Sequence, residues 1–132
     1  MTEVADNERA QIERVLDALY AARIGGELDR LVGLFAQNAQ FRISGSSDGK
    51  PIAISVGDET QIRGWLTVLL KSFSLSGYTV LARIVDGNRA AVHWRAVIHS
   101  RITGARITTE LMDVVEVRGE HIASYVELFA PV

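Results

Sequence analysis

The sequence predicts an α+β fold in which helices cover one face of a curved antiparallel sheet. Apolar residues recur with helical spacing in the first half of the chain and with a period of two in the second half. The length of 132 residues suits one domain, so we assign residues 1–132 to a single domain. A hydrophobic fraction of 48% with 23% charged residues is ordinary for a globular protein and argues against disorder.

Charge and cysteine content exclude several classes of function. Fourteen Lys and Arg against sixteen Asp and Glu give a net charge of −2, so we expect no nucleic-acid partner. The absence of cysteine excludes disulfides, thiolate nucleophiles and cysteine zinc sites. The most apolar run, Trp65–Leu70, is too short for a membrane span, so we expect no membrane partner. The N-terminal residues are acidic and polar and do not form a targeting segment, which predicts a cytoplasmic protein.

Two helices and a strand are predicted first. A helix from about Asp6 to Ile24 is ended by Gly25 and Gly26, and its apolar stripe consists of Ile12, Val15, Leu16, Leu19 and Tyr20. A second, short helix has one apolar face, formed by Leu28, Leu31, Val32 and Phe35. Phe41 and Ile43 then alternate with polar residues, which predicts a short strand ending at Gly45.

A turn and a third helix follow. The turn cluster at residues 45–51 is not a phosphate loop, because its glycine spacing is one residue short and Pro51 replaces the hydroxyl that would bind magnesium. Asp58 and Gln61 form a capping box that begins the third helix, and Gly77 ends it. The predicted buried stripe of this helix consists of Ile62, Leu66, Leu69, Leu70 and Phe73.

From Tyr78 onward the pattern predicts four consecutive antiparallel strands. Hairpin turns are expected at Asp86-Gly87, Gly104-Ala105 and Gly119-Glu120. If the last two turns are two-residue loops, apolar cross-strand pairs lie on one face of the sheet and ionic pairs on the other. The pairs on the apolar face include Trp94 with Val115, Ala96 with Asp113, and Asp113 with Val126. The ionic pairs are His93 with Glu116 and His99 with Glu110. A two-residue loop at Asp86-Gly87 would place Tyr78 on the ionic face, which indicates a bulge or a different turn length in this first hairpin.

Asp113 is the main candidate for chemistry, because this register places it on the apolar, helix-covered face. Desolvation by its apolar neighbours would raise its pKa toward the range of a general base. The alternatives are a structural Asp satisfied by Thr109, Ser124 or a buried water, or a strand whose two faces are the reverse of those assigned. Tyr20 either points its hydroxyl into the same pocket or ends the core stripe of its helix. The predicted pocket wall consists of Trp65, Trp94, Ala96, Leu111, Ser124, Val126 and Leu128.

The histidines do not predict a metal site. His93 and His99 lie about 20 Å apart along one strand, and His121 lies in a turn, so they cannot share an ion. We therefore expect no metal and no cofactor.

Two segments resemble a known family. YAARIGGELDRLVGLFAQNAQFRISG, at residues 20–45, and ELMDVVEVRGEHIASYVELFAPV, at residues 110–132, resemble the opening and the final hairpin of the nuclear transport factor 2-like superfamily. This superfamily includes ketosteroid isomerase and the SnoaL-like polyketide cyclases. The resemblance covers nearly the whole chain in order and length. It implies a cone-like curved antiparallel sheet wrapped by three helices.

Carried over residue by residue, the resemblance supports only one catalytic position. The places of the oxyanion-hole Tyr and the base Asp of steroid isomerases hold Leu19 and Ile43. Epoxide hydrolases of this superfamily use acids where this chain has Val97 and Ala130. Asp113 resembles the proton-abstracting Asp of the cyclases, although their last-strand Glu-His-Trp is replaced here by residues 124–126.

Three hypotheses follow. The first is an isomerase, cyclase or lyase in which Asp113 removes a proton next to a carbonyl, helped by Tyr20. The second is a non-catalytic pocket for the same kind of small apolar or carbonyl-containing ligand. The third is a protein-interaction module. The mixed apolar and ionic outer face also predicts a sheet-to-sheet homodimer, with Val97, Met112, Val114, Tyr125 and Phe129 as its apolar contacts.

Overall fold

The computed structural model describes residues 2–47 and 49–132, and it confirms the predicted α+β fold. The helices are α1 (Thr2–Gly25), α2 (Leu28–Gly33) and α3 (Glu59–Ser72). The strands are β1 (Phe35–Ser47), β2 (Lys50–Val56), β3 (Phe73–Asp86), β4 (Arg89–Ser100), β5 (Arg106–Arg118) and β6 (His121–Pro131). They form one curved, unclosed sheet in the order β2-β1-β6-β5-β4-β3.

The sheet is mixed, not wholly antiparallel as predicted. The first strand, β1, pairs with the last, β6, in parallel, and every other neighbouring pair is antiparallel. The sequence analysis also missed β2, whose residues pair with β1. The predicted turn cluster is therefore the end of β1 and the start of β2, with Gly49 at a φ of 72° between them. Asp48, in the same cluster, lies outside the described residues.

Helix α3 begins as predicted and ends earlier. Asp58 caps it by accepting a hydrogen bond of 2.8 Å from the backbone N–H of Gln61. The helix ends at Ser72, because Phe73 has extended backbone angles and pairs with Ser100 on β4. The predicted terminator, Gly77, accordingly lies within β3. Phe35, assigned to the second helix, is the first residue of β1.

The β4–β5 loop is longer than predicted. The backbone N–H of Ser100 donates to the carbonyl of Ala105, and His99 faces Arg106. Every predicted β5 partner is therefore displaced by four residues, so that Trp94 faces Leu111 and Val92 faces Asp113. An even displacement keeps each side chain on its predicted face. The individual pairs were wrong, but Asp113 does lie on the inner, helix-covered face.

A bulge in β6 changes the faces of that strand. The Gly119-Glu120 turn forms as predicted, and Val117 faces Ile122. The register then shifts by one residue, and Glu116 faces Ser124. A one-residue shift inverts every following side chain. Asp113 consequently faces Glu127 and not Val126, and the inward residues of β6 are Tyr125, Glu127 and Phe129.

The expected irregularity in the first hairpin is present. Its turn is Gly87-Asn88, and the register of β3 shifts twice on the way to Ser76. These shifts place Tyr78 against the rings of Tyr20 and Trp94, with centroids 5.6 and 5.5 Å away.

The core between α1, α2 and the sheet includes Leu16, Leu19, Phe41, Trp94, Val115 and Ile122. Among the described residues, no helix is long and apolar enough to cross a bilayer.

Candidate functional site

Asp113 lies fully buried at the centre of β5. Its Oδ2 accepts a hydrogen bond of 2.6 Å from the hydroxyl of Tyr20 on α1 and one of 2.8 Å from the indole Nε1 of Trp94 on β4. The ring of Tyr20 packs edge-on against that of Trp94, with centroids 5.6 Å apart. The structure therefore brings together the two residues that the sequence analysis selected for chemistry, Asp113 and Tyr20.

Glu127, which the sequence analysis missed, lies opposite Asp113 on β6 and is equally buried. Arg23 of α1 binds it through both nitrogens: Nη1 donates to Oε2, and Nη2 donates to Oε1 at 3.0 Å. The hydroxyl of Tyr125 also donates to Oε2, at 2.6 Å, and accepts from Arg23 at 2.8 Å. The guanidinium lies 5.1 Å from the ring centroid of Trp94. Glu127 is thus one half of a buried ion pair.

The two carboxyl groups have opposite pKa shifts. Burial raises the pKa of Asp113 well above its usual value, and the charge of Glu127 raises it further, against the opposing effect of Arg23. Burial also disfavours the ionised form of Glu127, but the charge of Arg23 and hydrogen bonds from Arg23, Tyr125 and Asp113 hold its pKa below the usual value. These opposite shifts favour a proton on Asp113 and a negative charge on Glu127.

One oxygen of Asp113 is left without a partner. Oδ1 of Asp113 is buried and makes no hydrogen bond to any group within residues 2–47 and 49–132. A protonated Oδ1 would need an acceptor, and the residue that faces Asp113 on β6 is Glu127. The pKa of Tyr20 is raised by its burial and by Asp113, so its hydroxyl keeps its proton and remains a donor.

A cavity of about 450 Å³ adjoins this cluster. Its inner end is formed by Arg23, Thr109 and Glu127, and its walls are mainly apolar: Ile43, Ile54, Leu69, Leu75, Ile98, Ile107 and Phe129. Asp113 and Tyr20 are not on this wall; they lie behind Glu127 and Arg23. The group that a ligand would meet is therefore the Arg23–Glu127 pair.

The predicted pocket residues are divided among three places. Trp65 lines the cavity near its exposed end. Trp94, Ala96 and Leu111 lie inside the protein around Asp113, away from the cavity wall. The β6 bulge directs the other three to the outer face of the sheet: Ser124, Val126 and Leu128.

The histidines lie apart from the cavity. His93 is 3.2 Å from Glu110, and His99 is 3.4 Å from Ser74, so the predicted pairing of His99 with Glu110 was wrong. In the described part of the chain, no cluster of three or more His, Cys, Asp or Glu side chains could hold a metal ion.

Comparison with known proteins identifies the family. A family model described as a SnoaL-like domain matches residues 16–125. The chain belongs to the SnoaL-like family. None of the curated proteins matches the sequence of this SnoaL-like domain significantly.

Solved structures share the fold of this SnoaL-like domain. A proposed isomerase from Rhodopseudomonas palustris is 14% identical, with a TM-score of 0.76 over 90% of this chain and 88% of that one. A proposed isomerase from Bacillus subtilis is 22% identical, with a TM-score of 0.75 over 92% and 88%. An NTF2-like protein from Burkholderia xenovorans is 15% identical, with a TM-score of 0.74 over 91% and 89%. These similarities show that the chains share one fold.

Proposed function

We propose that this domain binds a small, mainly apolar molecule with a carbonyl group and moves a proton on the carbon next to that carbonyl. Isomerases, cyclases and lyases of this type share that step. One observation carries the proposal: Glu127 and Arg23 lie at the inner end of an otherwise apolar cavity, and the buried Asp113 faces Glu127 from the neighbouring strand.

The cavity favours a neutral ligand. Its volume is within the usual range for small-molecule sites, and its walls are suited to a hydrocarbon skeleton. The charges of Arg23 and Glu127 cancel, and Asp113 is neutral, so the cluster offers no net positive charge to an anion. A carbonyl oxygen can accept a hydrogen bond from the Arg23 guanidinium without carrying a charge itself.

Glu127 takes the role of base in this proposal, and Asp113 positions it. Removal of a proton from the substrate carbon creates an enolate, whose oxygen is stabilised by Arg23. The pKa of Glu127 is low while Arg23 binds it, and it rises when Arg23 turns toward the substrate oxygen. The proton is then returned from Glu127 to another carbon. Asp113, which accepts a hydrogen bond from Tyr20, faces Glu127 on the neighbouring strand and would hold its carboxylate through a proton on Oδ1.

A non-catalytic pocket is the second candidate. It is favoured by the number of hydrogen bonds that Glu127 already makes to Arg23 and Tyr125. If Arg23 does not leave Glu127 when a ligand binds, the carboxylate stays too weak a base to remove a proton. The cavity would then bind the same ligand and leave it unchanged.

Proton exchange separates the two candidates. A panel of neutral cyclic ketones is incubated with the protein in D₂O, and proton NMR follows binding and the loss of the signals next to the carbonyl. We expect exchange with the wild type and at least a hundredfold slower exchange with Glu127→Gln, as is typical for loss of a general base. Glu116→Gln, a change on the outer face of β5, is the matched control and should exchange at the wild-type rate. Binding without exchange by the wild type would select the non-catalytic pocket.

The outer face of the sheet supports a proposed homodimer with corrected contacts. Tyr125 and Phe129 face inward, whereas Val97, Met112 and Val114 lie on the outer face as predicted. Val126 and Leu128 join them there. Val114 faces Val126 and Met112 faces Leu128, which forms a compact patch across β5 and β6. We propose that two copies of the domain pair sheet to sheet and that the protein is cytoplasmic.

A further inference from the structure

The exposed end of the cavity carries four large apolar side chains, which we call the mouth rim. They are Trp65 and Val68 of α3, Phe73 of β3, and Ile102 of the β4–β5 loop, with exposed fractions of 38, 48, 37 and 79%. All four also line the cavity. The apolar surface of the cavity therefore continues without interruption onto the outside of the molecule.

Hydrogen bonds hold the two sides of the mouth rim together. The backbone N–H of Arg101 donates to the carbonyl of Ser72 at 2.8 Å. The guanidinium of Arg101 donates to the carbonyls of Leu70 and Lys71 at 2.6 and 3.1 Å. The loop that carries Ile102 is thus fastened to the end of α3, and the rim is one surface.

Cations outnumber acids in the segment of the chain that carries the mouth rim. Residues 60–109, which include most of α3, the β4–β5 loop and the rim, hold seven Arg and Lys and a single acid, Asp86. The remaining residues hold seven Arg and Lys against fifteen acids. Asp86 lies at the opposite end of β3 from Phe73, together with Arg83 and Arg89. The cations nearest the rim are the exposed Lys71, Arg101 and Arg106.

We propose that the mouth rim docks on an anionic lipid surface and that the apolar ligand enters the cavity from that surface. Trp and aliphatic side chains beside Lys and Arg are the combination that binds at a lipid interface, where apolar groups and anionic headgroups lie together. Nucleic acid would match the cations but not the apolar rim. A second copy of this chain would bring two positively charged surfaces face to face.

The docking proposal revises one expectation and is independent of the proposed chemistry. No membrane partner was expected from the sequence, because no apolar segment is long enough to span a bilayer. Docking at a lipid surface requires only four side chains at the interface. It is tested without any substrate. A failure therefore leaves the role of Glu127 untouched, and the absence of proton exchange leaves the docking untouched.

Vesicle co-sedimentation tests the docking. We expect the protein to sediment with vesicles of equal parts phosphatidylglycerol and phosphatidylcholine, and to remain in solution with phosphatidylcholine alone or at high salt. Ile102→Ser should weaken the binding about fivefold. The charge reversal Lys71→Glu/Arg106→Glu should weaken it at least about tenfold. Brominated lipid should quench Trp65 and leave the buried Trp94 emission unchanged.

Matched controls lie away from the mouth rim. Ile84→Ser changes an apolar residue of 67% exposure that is about 35 Å along β3 from Phe73. Arg14→Glu/Arg118→Glu makes the same change in net charge on other exposed residues. Both controls should bind vesicles like the wild type. The proposal is overturned if anionic vesicles do not bind the protein, if the controls lose as much binding as the rim variants, or if Ile102→Ser abolishes self-association without lipid.

Discussion

Asp113 and Glu127 face each other across β5 and β6, and each is bound by a different side chain of α1. Tyr20 donates to Asp113, and Arg23, three residues further along the helix, binds Glu127. Residues three apart lie on the same side of a helix, so a single helical turn supplies both partners. This arrangement keeps one carboxyl neutral and the other ionised.

Asp113→Asn should change how stability depends on pH. The pKa of Asp113 is raised on folding, so its contribution to stability is complete below about pH 4 and decreases as the pH rises toward the folded value. The decrease amounts to at most about 1.4 kcal/mol per pH unit. Asparagine has nearly the same shape as aspartic acid but cannot titrate, so this decrease should be absent from the variant.

Urea unfolding at pH 5 and at pH 8 measures the effect. The lowered pKa of Glu127 acts only below its unfolded value of about 4.3, outside this interval. We expect the wild type to lose more stability between the two pH values than Asp113→Asn does. Equal losses in the two proteins would contradict a neutral Asp113.

The inner position of Asp113 could be predicted from sequence, whereas that of Glu127 could not. The period-two pattern of β5 fixed the face of Asp113, and the error in the β4–β5 loop was an even number of residues, which preserves faces. The bulge before Ser124 has no glycine or proline to indicate it. Without the bulge, the alternation of β6 places Val126 inside and Glu127 outside. The Arg23–Glu127 pair could therefore not be predicted, because the bulge that turns Glu127 inward can be seen only once the strands are paired.

A sheet edge was harder to predict than the sheet centre. β2 follows a cluster of turn residues and contains Pro51, which weakens a strand assignment. It is an edge strand, where proline is tolerated, and its partner β1 is far from the hairpins that guided the analysis. The parallel pairing of β1 with β6 joins the first strand of the chain to the last, and no local sequence pattern predicts such a distant pair.

Removal of one member of the Arg23–Glu127 pair should be strongly destabilising. Arg23→Met leaves a buried carboxylate without its cation, and Glu127→Gln leaves a buried guanidinium without its anion. Each change should cost about 3–5 kcal/mol of unfolding free energy. The double variant removes both charges and should cost clearly less than the sum of the two. Urea unfolding of the four proteins measures the interaction, and additive losses would show that the two side chains do not interact.

Val114→Arg should prevent the proposed dimer. Val114 is 45% exposed at the centre of the outer patch, where a pair of arginines related by symmetry would repel each other. Light scattering should give the mass of a dimer for the wild type and of a monomer for the variant. Val68→Arg, at 48% exposure on α3, is the control and should leave the dimer intact. A monomeric wild type, or a dimeric Val114→Arg variant, would contradict the sheet-to-sheet arrangement.

Ligand binding should protect Trp65 from a soluble quencher. Trp65 is partly exposed and lines the cavity, whereas Trp94 is fully buried beside Asp113. Acrylamide quenching of the free protein should therefore reach only Trp65, and a saturating ketone should reduce it. A Trp65→Phe variant should show little quenching in either state. Quenching that the ketone leaves unchanged in the wild type would place the ligand elsewhere.

The most direct test of the account is a carbon-13 NMR titration of the side-chain carboxyl groups of Asp113 and Glu127, assigned by Asp113→Asn and Glu127→Gln. At neutral pH, Asp113 should show the chemical shift of a protonated carboxyl group and Glu127 that of a carboxylate. As the pH falls, Glu127 should take up its proton only below its usual pKa. An Asp113 that is ionised at neutral pH, or a Glu127 that is protonated there, would contradict the division of charge on which the proposed chemistry depends.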